Sequence, residues 1–520
     1  MPWSAPIPLS SLTLGVWTPV PGGRSLMLMR MAGERVLARE GRPGGLISTL
    51  PQLETRVRGG RVQAMLTERD SVQALWRELE AAVRAGESTG AHRALVLWLQ
   101  DGHPLTQLLL QMAVLNAGVV ASAADALHLS RQQHGPALAQ IAMGPLELLL
   151  SLPLQPEAPR PRPAGELGLL DARLHTAAEH GHGEEVAALL AGAALSGWDR
   201  AHIEGALLGL CSDHFLDLGQ GLIQVSRVFD LLEGAGASPE QAAEVLAGLG
   251  RSLVQGERWE ALPEWTGLRR ALDRLDLAAL HRASVTGAPA WFDRSGLLRA
   301  LLEMPPEQCL AEWIKAIQGG VPLPDLVEVL ALGAAERLLR ADLRLDFDPR
   351  QPQGWMELAQ ALTHAQALQE VVSRWHDARV LRLLLFAVWR VAELAELDGE
   401  QSRLQEARAG DVPALLQAAA MRDPVQAVAI GRQLPMPALC GAVMRLGLDG
   451  QTALPLQSAH RAHAALAALR LSEELPGDQA RLPLLGVLRY LSAPRQERRL
   501  RKDLAEAWVW GQTGPEEGTP

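Results

Sequence analysis

The sequence predicts a predominantly α-helical protein, with a small N-terminal α/β domain followed by a large helical array that is either a bundle or an irregular solenoid. Two observations carry this prediction. Aromatic residues make up only 4% of the 520 residues, whereas alanine, leucine, arginine and glutamate, which favour helices, are abundant. From residue 166 onward, apolar residues recur at helical spacing in short segments that are separated by glycine and proline.

Residues 1–152 show a mixed pattern, which predicts the α/β domain. Apolar runs at 13–19 and 25–39 predict short strands, and the continuous apolar run at 93–100 predicts a buried strand. The segment 69–85 predicts an amphipathic helix, because its apolar residues recur three and four positions apart. Strands and helices in this order are typical of an α/β or α+β domain.

A proline-rich segment at 153–165 predicts a linker. It reads PLQPEAPRPRPAG, and five prolines in thirteen residues are incompatible with a helix or a central strand. Beyond it we expect a helical domain at 166–400, a C-terminal helical extension at 401–510 and a disordered tail at 511–520. Short helices are not stable alone in water, so we expect them to pack against one another.

Charge and lysine content argue against two classes of function. A net charge of −10 and a pI near 5.8 do not suit a nucleic-acid-binding protein, which usually carries a basic surface. All but two of the 49 basic residues are arginines, the exceptions being Lys315 and Lys502. Neither lysine follows a glycine-rich phosphate loop, which argues against ATP hydrolysis of the Walker type.

Cysteine usage and hydropathy predict a cytoplasmic protein that does not insert into a membrane. Cys211, Cys309 and Cys440 lie far apart, and without a CxxC pair they exclude a compact zinc ribbon and a Cys-ligated iron–sulfur cluster. So sparse and odd a count is typical of a reducing compartment, and the N-terminus lacks the pattern of a signal peptide. The longest apolar runs fall short of the roughly 20 residues that a membrane span needs.

Histidines next to carboxylates supply the candidate metal-binding residues. Histidine and carboxylate together serve acid–base or metal chemistry, but each candidate also has a structural interpretation. Near Asp213 the alternative is a capping aspartate with a half-buried histidine, and inside the apolar helix near 364 it is a buried core residue. The cluster RLHTAAEHGHGEE lacks HExxH spacing, and its alternative is a solvated turn. The candidates are His214, Asp213, His364 and His175.

Two stretches resemble one known family. Residues 214–233, HFLDLGQGLIQVSRVFDLLE, are similar to a signature written roughly HFLDYGHALIY and followed by a KAFELL-like run. Residues 355–368, WMELAQALTHAQAL, are similar to a W-x-x-L-T-H-x-L-T-Y-A-x-A pattern. Both patterns belong to a helical bacterial domain that often accompanies Rieske-type iron–sulfur modules and is distantly similar to questin-oxidase-like proteins. The resemblance spans about residues 167–400 and implies a helical, redox-associated domain.

The chain departs from that family at the centre of both motifs. Gln220 stands where the family has a histidine after the glycine, and Gln360 stands where it has the histidine of a Thr-His pair. Glutamine still forms hydrogen bonds, but it is a poorer metal ligand than imidazole. We therefore expect a domain that has kept its fold and lost its chemistry.

These observations lead to one main hypothesis and two alternatives. The main hypothesis is a non-catalytic helical scaffold or binding protein that has no cofactor and binds another protein. The first alternative is a metal-dependent oxidoreductase that holds iron or manganese at a His/Asp site between helices. The second makes the N-terminal domain a flavin- or nucleotide-binding module, since residues 104–133 and the apolar run after them resemble the end of a nitroreductase-like fold.

Overall fold

A computed structural model describes most of the chain after residue 71 and three short segments before it. The predicted disordered tail at 511–520 lies outside the described residues. The chain divides into two units, Met1–Ala74 and Leu75–Pro520. The described residues are 16–20, 24–31, 35–41, 72–131, 133, 136–162, 167–286, 292–345, 354–399, 407–449 and 455–494.

In the first unit, the described backbone forms a three-stranded antiparallel sheet in the order β1-β2-β3. The strands are β1 Val16–Val20, β2 Arg24–Met31 and β3 Arg35–Gly41. In register, Val16 of β1 lies opposite Leu28 of β2. Short connections join the consecutive strands, so each neighbouring pair is a β-hairpin.

From residue 72 onward, every regular element in the described part of the chain is a helix, which confirms the predominantly α-helical class. No helix among these residues combines the length and the hydropathy that crossing a bilayer requires. The α-helices are α1 Val72–Arg84, α2 Ser88–Gln100, α3 Leu105–Leu115, α4 Val120–Ser130, α5 Pro136–Ser151, α6 Leu167–Glu179, α7 Gly183–Leu195, α8 Arg200–Asp213, α9 Gln220–Gly234, α10 Pro239–Gln255, α11 Thr266–Leu272, α12 Leu277–Thr286, α13 Arg294–Glu303, α14 Pro306–Gln318, α15 Leu323–Arg340, α16 Trp355–Arg374, α17 Ala378–Glu393, α18 Val412–Ala420, α19 Pro424–Gly431, α20 Met436–Gly447, α21 Pro455–Glu474 and α22 Arg481–Ser492.

The predicted buried strand at 93–100 is wrong, because these residues form the second half of α2. Ala94, Leu95, Val96 and Trp98 are each at most 1% exposed, so this helix is buried on several faces. A helix buried on several faces gives the same continuous apolar run as a buried strand, and periodicity does not separate the two. Because the regular elements from residue 72 to residue 151 are all helices, the small N-terminal α/β domain is not supported.

Side-chain caps determine where several helices begin. Ahead of α10, the Ser238 hydroxyl accepts a hydrogen bond from the Gln241 N–H, and the Gln241 side chain accepts one from the Ser238 N–H. This reciprocal pair is a capping box, which satisfies two N–H groups that have no partner inside the helix. Four aspartates accept a bond from the first turn of α8, α13, α18 and α19 in the same position: Asp199, Asp293, Asp411 and Asp423.

The proline-rich segment lies against the helices of the second unit. The Gln155 side-chain amide donates to the Gly248 carbonyl at 3.2 Å, and the Arg251 guanidinium donates to the Pro156 carbonyl at 3.2 Å. Helices before and after the segment also pack together, since α4 contacts α9 and α5 contacts α21. The division at 153–165 stays a prediction, and residues on both sides of it belong to the second unit, Leu75–Pro520.

A buried arginine joins the ends of two helices. Arg337 lies on α15 and is fully buried. Its guanidinium donates to the carbonyls of Leu301 and Leu302 near the end of α13, and to the Val391 carbonyl near the end of α17. It also pairs with the Asp398 carboxylate at 2.7 Å. The last carbonyls of a helix have no partner within it, so this side chain satisfies acceptors that burial would otherwise leave unpaired.

Candidate functional site

The two glutamines at the motif centres lie next to each other in space. Gln220 begins α9, and Gln360 lies on α16. The Gln360 Nε2 donates to the Asp217 carbonyl at 3.0 Å and lies 3.5 Å from the Gln220 Oε1. These two positions lie 140 residues apart in sequence and are in contact in the fold. In this structure their amides bond to the backbone and to each other.

The backbone before Gln220 is left-handed at three consecutive residues. The φ angles are 48° at Asp217, 57° at Leu218 and 90° at Gly219. Left-handed conformations disfavour side chains with a Cβ, so a leucine here is strained, and such strain persists only where neighbours hold it. The Asp217 N–H donates to the Glu257 carbonyl at 2.9 Å, and the Glu257 N–H donates to the Asp217 Oδ1 at 2.8 Å. With the bond from the α16 glutamine, these contacts hold the strained segment in place.

The His364 side chain is buried next to the left-handed segment that ends at Gly219. It is 2% exposed, and its ring centroid lies 5.4 Å from that of Phe215. A Cβ built on Gly219 would lie 2.7 Å from the His364 Cγ, so only glycine allows this approach. Burial lowers the pKa of His364 to about 4, and its Nε2 has no hydrogen-bond partner. The imidazole is therefore neutral at pH 7 and packs as an aromatic group.

The lowered pKa of His364 predicts a loss of stability in acid. In the unfolded chain a histidine protonates near pH 6.5, whereas in the fold this one stays neutral down to about pH 4. The contribution of His364 to the free energy of unfolding is therefore complete above pH 6.5. It falls as the pH drops towards 4, because in this range only the unfolded chain takes up the proton. We expect His364→Gln to be less acid-sensitive than the wild type by about 2–3 kcal/mol between pH 7 and pH 4.5. Urea unfolding at both pH values measures this difference, and parallel losses in the two proteins would contradict it.

His214, which follows the end of α8, lies between two carboxylates. Its Nδ1 bonds to the Glu260 Oε1 at 2.7 Å, and its Nε2 bonds to the Glu179 Oε1 at 2.5 Å. The second oxygen of Glu260 accepts the Phe215 N–H at 2.8 Å, and the second oxygen of Glu179 accepts the Arg258 guanidinium at 3.1 Å. Both ring nitrogens therefore act as donors, which is the pattern of an imidazolium.

The pKa values of this group reflect mutual stabilisation of its charges. Burial alone lowers the pKa of His214, but the hydrogen bonds to Glu260 and Glu179 outweigh burial and raise the pKa above its usual value. Burial raises the pKa of both glutamates, but the bond to His214 together with Arg258 at Glu179, and with the Phe215 N–H at Glu260, outweighs burial and lowers both pKa values below the usual range. Each charge in this group therefore favours the ionised form of its neighbours.

Removing His214 should cost more stability at pH 6 than at pH 9. A raised histidine pKa stabilises the fold fully below the unfolded value near 6.5, and this contribution disappears as the pH rises through the folded value. We expect His214→Gln to lower the free energy of unfolding by about 2 kcal/mol at pH 6 and by less at pH 9. Denaturant unfolding of both proteins at the two pH values gives the comparison. An equal loss at both would show that the imidazolium is not what stabilises this group.

The other candidate residues have different neighbours. The His175 Nδ1 bonds to the Asp213 Oδ2 at 2.7 Å on the surface between α6 and α8, and Arg382 lies 3.6 Å from the Asp213 Oδ1. The four residues suggested as ligands thus fall into three sets of contacts: His175 with Asp213, His214 with two glutamates, and His364 with aromatic rings. Within the described ranges, no group of three or more His, Cys, Asp or Glu side chains is arranged to hold a metal ion.

A small cleft opens beside these residues, between α6, α8 and α10. Apolar side chains form part of its lining, and the polar groups include the Glu179 carboxylate and the Arg258 guanidinium. Its free volume of about 10 Å³ admits roughly one water molecule, so it is far smaller than the pockets that bind small molecules. The lining residues are Ala178, Glu179, Leu210, Asp213, His214, Leu216, Leu253, Val254 and Arg258.

No protein-family profile, curated protein or solved structure matches this chain. Its resemblance to the Rieske-associated helical domain stays a prediction, carried by the two motifs. The contacts around them are therefore the basis for any functional argument.

Sequence reasoning missed a second buried polar cluster, between α4, α9, α16 and α21. His463 Nδ1 bonds to the Asp125 carboxylate, and the Arg227 guanidinium donates to Gln366 and to Glu370, the latter at 2.7 Å. Arg227 is 1% exposed and Asp125 is 2% exposed. The four helices are far apart in the sequence, and the apolar periodicity of α21 alone does not predict this cluster. A charged residue on an otherwise apolar helix face is the sequence feature that could have indicated it.

Proposed function

We propose that this chain is a non-catalytic helical binding protein of the cytoplasm, derived from a redox-associated domain, whose partner is another protein. The observation that carries this proposal is that both ring nitrogens of His214 are bonded to carboxylates. A general base or a metal ligand needs a free lone pair on imidazole, and an imidazolium held between two glutamates has none. His214, the first residue of the first motif, thus has a structural role: its hydrogen bonds connect the end of α8 to neighbouring segments.

The glutamines at the motif centres support the same proposal. Gln220 and Gln360 bond to each other, and Gln360 also bonds to the backbone of the strained segment. Their amides thus hold a turn between helices. His364 is enclosed by Phe215 and by the glycine of that turn, which leaves no room for a substrate at its ring.

The cleft and its rim are the surface that we assign to the partner. Val254 is the partly buried apolar side chain of the cleft, whereas Leu210 and Leu253 are only 5% and 4% exposed. Charged groups from α6 and α8 surround it, so a protein partner would meet mainly polar side chains, as at the rim of an interface. His175, on the exposed rim, is available to a partner.

The alternative of a metal-dependent oxidoreductase would bring four side chains to one iron or manganese ion: His214, Asp213, His364 and His175. His214 would first have to leave both of its carboxylates, and His364 would have to leave its enclosed position. The proposal of a flavin- or nucleotide-binding N-terminal part stands apart from these residues, and visible absorbance of the purified protein near the flavin bands tests it.

Site-specific photo-crosslinking in the source cells tests the binding proposal. Ala172 is exposed on α6, one helical turn before His175 and two before Glu179, so it lies on the same helix face as the rim. We expect a photoreactive benzoylphenylalanine in place of Ala172 to give one discrete protein adduct. The matched control carries the same group in place of Met421, which is 71% exposed and lies at the end of α18, and it should not give that adduct.

Two outcomes would contradict the proposal. The first is an absence of adducts from position 172, or the same adducts from both positions. The second is near-stoichiometric iron or manganese in the purified protein that is lost in both the His214→Gln and the His364→Gln variants, since this would establish the metal-dependent alternative.

A further inference from the structure

Two exposed histidines lie side by side in the turn between α6 and α7. The turn consists of His180, Gly181 and His182, and Gly181 has a φ of 71°, a conformation that favours glycine. The imidazole rings of His180 and His182 stack with their centroids 5.7 Å apart and an interplanar angle of 28°. Both side chains are exposed to solvent, so the edges of both rings are accessible.

The structure fixes the tautomer of His180. Its Nδ1 lies 2.7 Å from the Thr176 carbonyl oxygen, one turn back on α6. A carbonyl oxygen only accepts hydrogen bonds, so Nδ1 carries the proton and the lone pair of the neutral ring is on Nε2. Metal-binding histidines are usually oriented in this way, with the second nitrogen donating to a carbonyl or a carboxylate.

His182 lies beside a carboxylate at a distance that gives electrostatic attraction but is too long for a hydrogen bond. Its Nδ1 lies 3.8 Å from the Glu185 Oε2, one turn into α7. The other oxygen of Glu185 accepts the Arg162 guanidinium at 3.1 Å, which holds the carboxylate beside the ring. A negative group beside Nδ1 favours the proton on that nitrogen, and the Nε2 lone pair of the neutral ring is then available.

We propose that His180 and His182 together bind one divalent ion of the zinc class through their Nε2 atoms. Imidazole nitrogen is a preferred ligand of Zn²⁺, Ni²⁺ and Cu²⁺. Across the described part of the chain no third His, Cys, Asp or Glu joins such a group, so water completes the coordination. The ion is therefore exchangeable and exposed. The proposal involves neither His214 nor the motif glutamines, so it stands or falls independently of the proposed function.

Titration of metal-free, full-length protein with Zn²⁺ against a chromophoric chelator tests this site. We expect one Zn²⁺ per chain in the wild type. His180→Ala and His182→Ala should each weaken binding on the order of 10- to 100-fold, and Glu185→Gln should weaken it by about tenfold, because the carboxylate only orients a ligand. The matched control is His202→Ala, which removes an exposed histidine whose Nδ1 bonds to Asp199 at 2.6 Å, and it should leave zinc affinity unchanged.

The variants are suited to this comparison because their side chains are exposed. His182 precedes α7 without capping it, so its loss removes no cap, and thermal unfolding should be unchanged in the absence of zinc. Zinc affinity that is unaltered in both His180→Ala and His182→Ala would overturn the proposal. So would a loss of binding in His214→Gln with none in these two variants, which would place the ion at the cleft.

Discussion

Arg337→Met is expected to lower the free energy of unfolding by about 4 kcal/mol. The fully buried guanidinium bonds to backbone carbonyls at the ends of α13 and α17 and to the Asp398 carboxylate. Methionine has similar length but no donor, so the carbonyls and the carboxylate would lose their partner. Removing the arginine also leaves the Asp398 carboxylate, whose side chain is 17% exposed, without its partner charge. Urea unfolding monitored by circular dichroism measures the change.

A lysine at this position tests the geometric part of that argument. Arg337→Lys keeps the charge, but a single ammonium does not reach acceptors on two helices at once, so most of the loss should remain. Arg84→Met serves as the surface control, because Arg84 pairs with Glu80 on exposed helix surface, and such pairs contribute less than about 1 kcal/mol. A loss at position 337 no larger than at position 84 would mean that the buried bonds do not stabilise the fold.

Gly219→Ala is the second change with a large expected effect, a loss of about 3 kcal/mol in the free energy of unfolding. At a φ of 90° any residue with a Cβ is strained, and this Cβ would lie 2.7 Å from the His364 Cγ. The ring is packed against Phe215, so relief requires movement of the aromatic cluster or of α16. We expect the same variant to raise the pKa of His364 towards its usual value, because a displaced ring admits water.

The control for this prediction separates backbone strain from steric clash. Gly86 also has a positive φ, 66°, but a Cβ there meets nothing within 4 Å. Gly86→Ala should therefore cost only the conformational part, about 1 kcal/mol. Denaturant unfolding gives both values, and the histidine NMR titration gives the pKa. Equal losses at the two glycines would remove the role that we assign to the contact between Gly219 and His364.

Features that depend on interactions between residues close in sequence were predictable. The capping box at Ser238 and the apolar spacing of most helices act within a few residues, so the sequence displays them directly. The segment 93–100 shows the limit of this reasoning, since a continuous apolar run is compatible with two secondary structures. Only its burial against other helices decides that it is part of α2.

The contacts of the candidate residues were not predictable from the sequence. The motif resemblance drew attention to Gln220, Gln360 and His214, and two of these do touch. It gave no indication that His214 bonds to Glu260, 46 residues later, or that the buried Arg227 lies beside Asp125. Such pairs join helices that are remote in the chain, and no periodicity or spacing rule connects them.

The amino-acid sequence by itself determined the helical class and the caps that start the helices, because propensity, periodicity and capping depend on neighbours a few residues apart. Tertiary structure alone decided which charges are paired, which imidazole is neutral and which is protonated, and that the proline-rich segment lies against the helices. Burial and long-range hydrogen bonds set those properties, and they exist only once distant helices have packed.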